Sequence, residues 1–292
     1  MGGTGLLKLR YIIIGTLPKE ECRVLLENLK IAEQQVCLAE QYGWNTQKGQ
    51  IVFREALEQF PAKESLFLSG SSDELAVAVR LGMATVGYLS AGGERITFTP
   101  PPDMYAEGFA ETSETFFVRV YERHHRIPWT ILTTERCVVK EFSMDYLDAL
   151  FELYAGEGMT DYIEPLYPYE EERKYQEAYI EHMYRFYGYG MWIVCEKETG
   201  TLIGRVGIEN REEMGGELEL GYAIGTPYQR QGYAMEVCRA VMQYAKEELG
   251  ITHLHCLIEE GNAVSEHFAA KLGFSYAEDM DISGKRMRKY VI

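Results

Sequence analysis

At 292 residues the chain exceeds one typical domain, and two is the natural expectation. A hydrophobic share of 46% and a charged share of 25% are those of a soluble globular protein. The net charge of −16 argues against a nucleic-acid partner, which would need clustered Lys and Arg, and favours cationic or neutral acceptors.

In chain order, Met1-Gly2-Gly3-Thr4-Gly5 reads as a flexible lead without the pattern of a signal peptide. Leu9 to Gly15 reads as a buried strand. Pro18 to Glu21 opens a helix with Val24, Leu25, Leu26 and Leu29 on its inner face. A second helical pattern continues through Gln41, Tyr42-Gly43-Trp44-Asn45 forms a turn, and a third helix covers Val52 to Phe60. The strand-like Leu66-Phe67-Leu68-Ser69-Gly70 leads to a short helix ending at Leu81 and a strand through Met83 to Tyr88. That order predicts a small α/β, Rossmann-like domain. Gly92-Gly93 and Thr99-Pro100-Pro101-Pro102 mark irregular chain, and Glu107 to His124 supplies a last strand and helix.

The boundary falls at Arg126-Ile127-Pro128-Trp129, giving domains 1–128 and 129–292. A strand is expected near Ile131 to Lys140, helices near Asp145 to Tyr154 and Glu170 to Tyr187, and strands near Met191 to Lys197 and Leu202 to Glu209. Glu217 to Ile224 alternates like another strand. Beyond it Val237, Ala240, Val241, Tyr244, Ala245 and Leu249 recur at helical spacing up to Gly250. Between them lies Gly225-Thr226-Pro227-Tyr228-Gln229-Arg230-Gln231-Gly232-Tyr233-Ala234. A glycine-containing turn leading into a helix gathers free backbone N–H groups at the positive end of the helix dipole, which suits a diphosphate. No Lys-Ser or Lys-Thr pair supports a Walker loop, and three spaced glycines of a dinucleotide fingerprint are missing.

Gln229 to Ala234 resembles the Q/R-x-x-G-x-G/A loop of the GNAT N-acetyltransferases. Asn262 to Ser265, Phe268 and Lys271-Leu272-Gly273-Phe274 are similar to that family's N-x-x-S…K-x-G-F segment. Thr134-Glu135-Arg136 is similar to the opening of the ribosomal-protein (Rim-type) branch. Tyr187 to Trp192 and Thr199 to Gly204 are similar to its central hairpin. The resemblance covers about residues 129–292 and implies an α+β fold with a mixed, splayed central sheet, together with acetyl-coenzyme A as co-substrate.

It also implies roles. Backbone groups of Gln229, Arg230, Gln231, Gly232, Tyr233 and Ala234 would take the diphosphate, with the Arg230 side chain as a further cation. Backbone groups of Tyr222, Ala223 and Ile224, on a strand that splays from its neighbour, would pair with pantetheine. Acetyl transfer to an amine needs a fixed donor, a polarised carbonyl, a base and an outlet for the thiolate. Glu219, in Glu219-Leu220-Gly221-Tyr222, is the expected base, with a structural carboxylate as the other reading; Glu217 and Glu259 are substitutes. Many relatives carry a Tyr seven residues after the Asn, where this chain has Ala269. Ser265 is the expected replacement acid or else a helix cap, and Asn262 contacts pantetheine or caps the same helix.

The acceptor is expected to be a primary amine, on a protein N-terminus or a small polyamine-like or aminoglycoside-like molecule. Asp161, Glu164, Glu170, Glu171, Glu172, Glu177 and Glu181, interleaved with Tyr162, Tyr167, Tyr169, Tyr175 and Tyr179, would form an acidic, aromatic wall that attracts it or a solvated helical face. A coenzyme A-binding sensor or scaffold with a partner-binding first domain is the competing reading.

Residues 66 to 83 show a weaker likeness to the latter half of a haloacid-dehalogenase-type (HAD) domain. The metal-binding Asp of that pattern falls on Gly70 and a second acidic position on Glu74, while no Asp precedes Asp73. Phosphatase chemistry would therefore lack its agent. Cys22, Cys37, Cys137, Cys195, Cys238 and Cys256 form no C-x-x-C pair, and the histidines, His253 and His255 on one strand face among them, have no metal-binding spacing. Reduced thiols in a cytoplasmic protein, no metal and no membrane partner are the expectation, since the longest apolar run, Tyr11–Ile14, cannot span a bilayer. A homodimer is left open.

Overall fold

Ile12, Ile13 and Ile14 are all buried because the strand that carries them is covered on both faces, the situation in which a strand reads as a continuous apolar run. The structure, a computed structural model, describes residues 7–42, 50–90, 97–210 and 215–292, in two units, Met1–Ile127 and Pro128–Ile292. The expected lead at Met1 to Gly5, the turn around Gly43 and the Gly92-Gly93 break lie outside the described residues.

The first unit comprises β1 (Tyr11–Ile14), α1 (Lys19–Asn28), β2 (Gln35–Leu38), α2 (Gln50–Leu57), β3 (Ser65–Ser69), α3 (Ser72–Arg80), β4 (Ala84–Tyr88), β5 (Met104–Ala106) and α4 (Glu114–His124). Its sheet has the order β2-β1-β3-β4-β5 with every pair parallel. Ile12 and Ile14 face Leu25 of α1 and Phe117 and Tyr121 of α4, while Ile13 faces Leu57 of α2 and Leu75 and Val77 of α3. An α/β unit was expected, yet two elements differ. The last strand, expected within Glu107 to His124, is β5 at Met104–Ala106, ahead of that stretch. The helix expected through Gln41 is instead β2 followed by a short 3-10 turn, Ala39–Tyr42. Pairing with β1 along all four residues, Gln35 to Leu38, outweighs the helical spacing of the stretch.

The second unit comprises β6 (Thr130–Thr133), β7 (Cys137–Lys140), α5 (Leu147–Tyr154), α6 (Tyr169–Tyr179), α7 (Arg185–Tyr187), β8 (Met191–Glu196), β9 (Leu202–Asn210), β10 (Leu218–Ile224), α8 (Tyr233–Glu248), β11 (His255–Glu259), α9 (Ala263–Leu272), β12 (Ser275–Ile282) and β13 (Lys285–Val291). One π turn, Ile180–Tyr184, joins α6 to α7, which together replace the single helix expected up to Tyr187. The sheet runs β12-β13-β11-β10-β9-β8-β7-β6. All its pairs are antiparallel except β10 with β11. Thr134 to Arg136, expected inside one strand, is the turn between β6 and β7. Thr134 closes it by donating N–H to the Cys137 carbonyl at 2.8 Å and accepting the Cys137 N–H on Oγ1 at 3.0 Å.

α8 buries Tyr233, Val237, Cys238, Val241, Tyr244 and Ala245 along one stripe against Leu220 of β10 and the rest of the core. No described helix is long and apolar enough to cross a membrane.

Glu74 explains why the first unit holds a buried acid. It lies on α3 with 5% of its surface exposed and accepts the Thr16 N–H at 2.9 Å, the Thr16 hydroxyl at 2.5 Å and the Ser69 hydroxyl at 2.7 Å. Burial pushes its pKa up, against the lowering effect of those donors. A raised folded-state pKa gives a stability contribution that is complete below the ordinary value of 4.5 and fades as pH rises through the raised value. Stability of the first unit, read by urea unfolding with amide exchange at β1 and β3, should therefore fall over this range, and Glu74→Gln should flatten that fall. Parallel pH profiles for the two proteins would show that burial of Glu74 has no such effect.

Candidate functional site

β10 pairs with β9 along its entire length, from Leu218 opposite Asn210 to Ile224 opposite Gly204. With β11 it shares a single parallel pair, Glu219 opposite His255. From Leu220 onward the two strands part, so the edge of β10 at Tyr222, Ala223 and Ile224 has no β11 partner. This is the splay the sequence led us to expect, and its apex lies at Glu219.

The turn after β10 stands at the mouth of that gap. Gln229 donates its side-chain amide to the Ile224 carbonyl at 2.9 Å, and Gln231 donates its own to the Pro227 carbonyl at 2.8 Å. Both side chains therefore brace the turn, and the Gln229 N–H is itself bonded to the Thr226 carbonyl at 3.3 Å, so Gln229, expected to offer its main chain to a diphosphate, holds the turn from within instead. Arg230 and Gly232 take positive φ, 60° and 87°. At Gly232, the N-cap of α8, glycine meets that geometry without strain, and having no side chain it leaves the first N–H groups of the helix uncapped. The Arg230 side chain is exposed, and Ala234 is half-buried in the first turn. Tyr233 turns its ring into the core and donates its hydroxyl to Glu196 Oε1 at 3.1 Å, so only its main chain faces outward.

Glu219 is 8% exposed. Its direct cross-strand partners are Glu209 on β9 and His255 on β11, placing two carboxylates and a buried imidazole in one row on one sheet face. Glu209 is fixed by Tyr179, whose hydroxyl donates to its Oε1 at 2.7 Å and accepts the Met191 N–H at 2.6 Å. Burial first, and the Glu209 charge second, push the Tyr179 pKa upward. Neither substitute base is as well placed: Glu217 is half-exposed and bound to Lys289 Nζ at 2.7 Å, and Glu259 is bound to Lys285 Nζ at 3.0 Å. The Lys289 hydrogen bond holds the Glu217 carboxyl below its ordinary pKa, further weakening it as a base.

Two assignments on α9 are now separable. Asn262 is the cap, accepting the Ser265 N–H on Oδ1 at 3.1 Å. Ser265 is not the cap but gives its N–H to it, and on the same helix the Phe268 ring lies 4.7 Å from that of Tyr222. Tyr222 thus joins the unpaired part of β10 to α9, and burial raises its pKa, keeping the phenol protonated. Ala269 is fully buried in the core.

On the helices and loop expected to face an acceptor, Tyr162, Tyr167, Tyr169 and Tyr175 are exposed, whereas Tyr179 and Glu172 point inward. Glu172 holds the Tyr167 N–H at 3.1 Å and the Gln176 amide at 2.7 Å, and Arg173 neutralises Glu170 and Glu177. Sequence reasoning named this wall but missed Glu209, His255 and the Tyr222 phenol. The alternation of β9 and β10 was legible; their register was not. His253 lies outside β11, so the two histidines do not share a strand. Five of the six cysteines are buried, and no cluster among the described residues has three or more potential metal ligands.

A family model described as an acetyltransferase (GNAT) domain matches residues 136–275. The C-terminal unit carries a GNAT acetyltransferase domain. The GNAT match begins at Arg136 and lends no support to the HAD-type likeness of the first unit. Among curated relatives, the uncharacterized protein YkkB of Bacillus subtilis (strain 168) is 33% identical over 93 residues, which are 32% of this chain and 54% of YkkB. The chain therefore spans about half the length of that relative. The uncharacterized N-acetyltransferase YoaA of the same organism is 24% identical over 146 residues, 49% of this chain and 82% of YoaA. Among solved structures, RimL, a ribosomal L7/L12 alpha-N-protein acetyltransferase, is 16% identical with a TM-score of 0.49, covering 56% of this chain and 94% of its own. An acetyltransferase (GNAT family) from Bacillus anthracis is 18% identical with a TM-score of 0.47, covering 55% and 96%.

If Asn262 serves this GNAT domain as a cap, Asn262→Ala should lower its stability by about 1 kcal/mol in urea unfolding. An unchanged midpoint would return Asn262 to a purely cofactor-binding role.

Proposed function

We propose that the C-terminal unit transfers the acetyl group of acetyl-coenzyme A to a primary amine by direct attack on the thioester. The observation that carries this reading is the parting of β10 from β11 after one residue pair, with Glu219 at the apex and the uncapped start of α8 at the open end. A diphosphate at the turn leaves its pantetheine arm to run along the free edge of β10, pairing with the main chain of Tyr222 and the N–H of Ile224, whereas Ala223 turns its polar groups to β9 and the Ile224 carbonyl is held by Gln229. The site residues would be Arg230 to Ala234 for the diphosphate and Glu219 for the amine proton. Once deprotonated, the amine nitrogen attacks the thioester carbon, the carbon–sulfur bond breaks, and the thiolate takes a proton from Tyr222, Ser265 or water.

Glu209 supports an amine as the acceptor. Like charges directly opposite each other on an antiparallel pair are unfavourable, and an ammonium between Glu209 and Glu219 would relieve that repulsion. The exposed tyrosines and the acids beside them extend the same preference outward, towards a protein N-terminus or a small polyamine-like or aminoglycoside-like molecule. For the first unit we infer a non-catalytic, partner-binding role: β1 carries no carboxylate, and Glu74 is turned inward onto Thr16 and Ser69. Reduced buried cysteines fit a cytoplasmic setting.

Thiol release across a panel of amines tests the reading. At least one amine should support turnover, and Glu219→Gln should lower kcat by about a hundredfold or more while KM for acetyl-coenzyme A stays near that of the wild type. Binding of coenzyme A without turnover on any amine would favour the sensor or scaffold reading. On a productive amine, Glu209→Gln should raise the amine KM by about tenfold, the loss expected for one partly buried charge contact, with KM for acetyl-coenzyme A unchanged. Equal effects on both substrates would remove Glu209 from the acceptor side.

A further inference from the structure

Arg136 belongs to the turn between β6 and β7, yet its N–H, Nε, Nη1 and carbonyl are engaged with the donor loop, α8 and the residue after β8. Its N–H donates to Glu236 Oε1 at 2.9 Å, and its Nε donates to Glu236 Oε2 at 2.7 Å. Nη1 donates to the Gln231 carbonyl at 3.0 Å, and its own carbonyl accepts the Lys197 N–H at 2.8 Å. The guanidinium lies 4.3 Å over the Tyr233 ring, and Nη2 stands 3.4 Å from where a side chain at Gly232 would begin.

We propose that Arg136 is a positioning residue for the diphosphate-binding turn, setting the direction of the Gly232 N–H through the carbonyl of Gln231. A trans peptide is planar, with its C=O and N–H pointing in opposite directions. Drawing the Gln231 oxygen onto Arg136 therefore turns the N–H of Gly232 away from Arg136, outward from the sheet turn. The left-handed backbone at Arg230, disfavoured for a residue with a side chain, needs such an external hold. Successive N–H groups in this kind of turn form a concavity for an anion. Glu236 receives the guanidinium through Nε and the backbone N–H beside it, and Tyr233 lies beneath the guanidinium, so part of its charge is met within the protein. The inference rests on the reading of residues 225–234 as the donor turn.

Isothermal titration calorimetry with coenzyme A on the full chain tests it, with wild type, Arg136→Met, Arg136→Lys and Glu236→Gln compared. Arg136→Met should weaken binding about tenfold, the order expected for one lost hydrogen bond from a charged group. KM for acetyl-coenzyme A should rise in parallel while kcat at saturation stays within about twofold. Arg136→Lys reaches one acceptor but cannot fork onto the others, so it should recover part of the affinity. Folded Arg136→Met that binds like wild type overturns the proposal. If that variant does not fold, wild-type affinity in both Arg136→Lys and Glu236→Gln overturns it equally. Wild type that binds no coenzyme A overturns the donor-turn reading itself, and this inference with it.

Discussion

One strand satisfies its backbone on one side only. β10 gives every residue to β9 but pairs only Glu219 with β11, whose Cys256 thiol also donates to the Leu220 carbonyl, and the polar groups farther along its other edge have to be met by something that is not β11. Much of the second unit follows from that asymmetry. β9 and β10 hold each other rigidly enough for the edge to stay straight, α8 packs Val237, Cys238 and Val241 under Leu220, and α9 starts beyond the gap with Asn262 closing its first turn. Groups near the sulfur of a bound thioester would thus be carried by strands and helix ends rather than by mobile loops, which favours precise placement.

The same asymmetry divides the chemistry between two ends. At the open end the turn presents the main-chain N–H groups of Arg230 to Gly232, braced from within by the side chains of Gln229 and Gln231 and from the side by Arg136. At the apex the groups are acidic, Glu219 and Glu209, with His255 in the same row. An anion-seeking end and a cation-seeking end at opposite ends of one short strand match a donor that is a diphosphate ester and an acceptor that is an ammonium.

The parts of this that were legible in the sequence are those fixed by neighbours along the chain. The strand, turn and helix from Glu217 to Leu249 follow from local periodicity, and Gly232 is where a positive φ was needed. Asn262 and Gly273 bracket α9 as cap and stop, which short-range spacing reveals. Pairing across the sheet was not legible. β2 lies in a stretch whose spacing reads as helical, and it is a strand paired with β1 along all four of its residues. Glu209 and Glu219 meet through the register of β9 on β10, and Tyr222 meets Phe268 only because α9 returns over the gap. Arg136 was noticed as the third residue of a motif, while its bond to the Gln231 carbonyl depends on a contact 95 residues away.

A crystal structure of the protein with coenzyme A bound is the most direct measurement of the central claim. The account predicts the diphosphate against the N–H groups of Arg230 to Ala234 and the pantetheine amides hydrogen-bonded to β10 between Tyr222 and Ile224, with the sulfur towards Glu219. A diphosphate bound away from this turn, or a gap between β10 and β11 that closes when coenzyme A binds elsewhere, would contradict it.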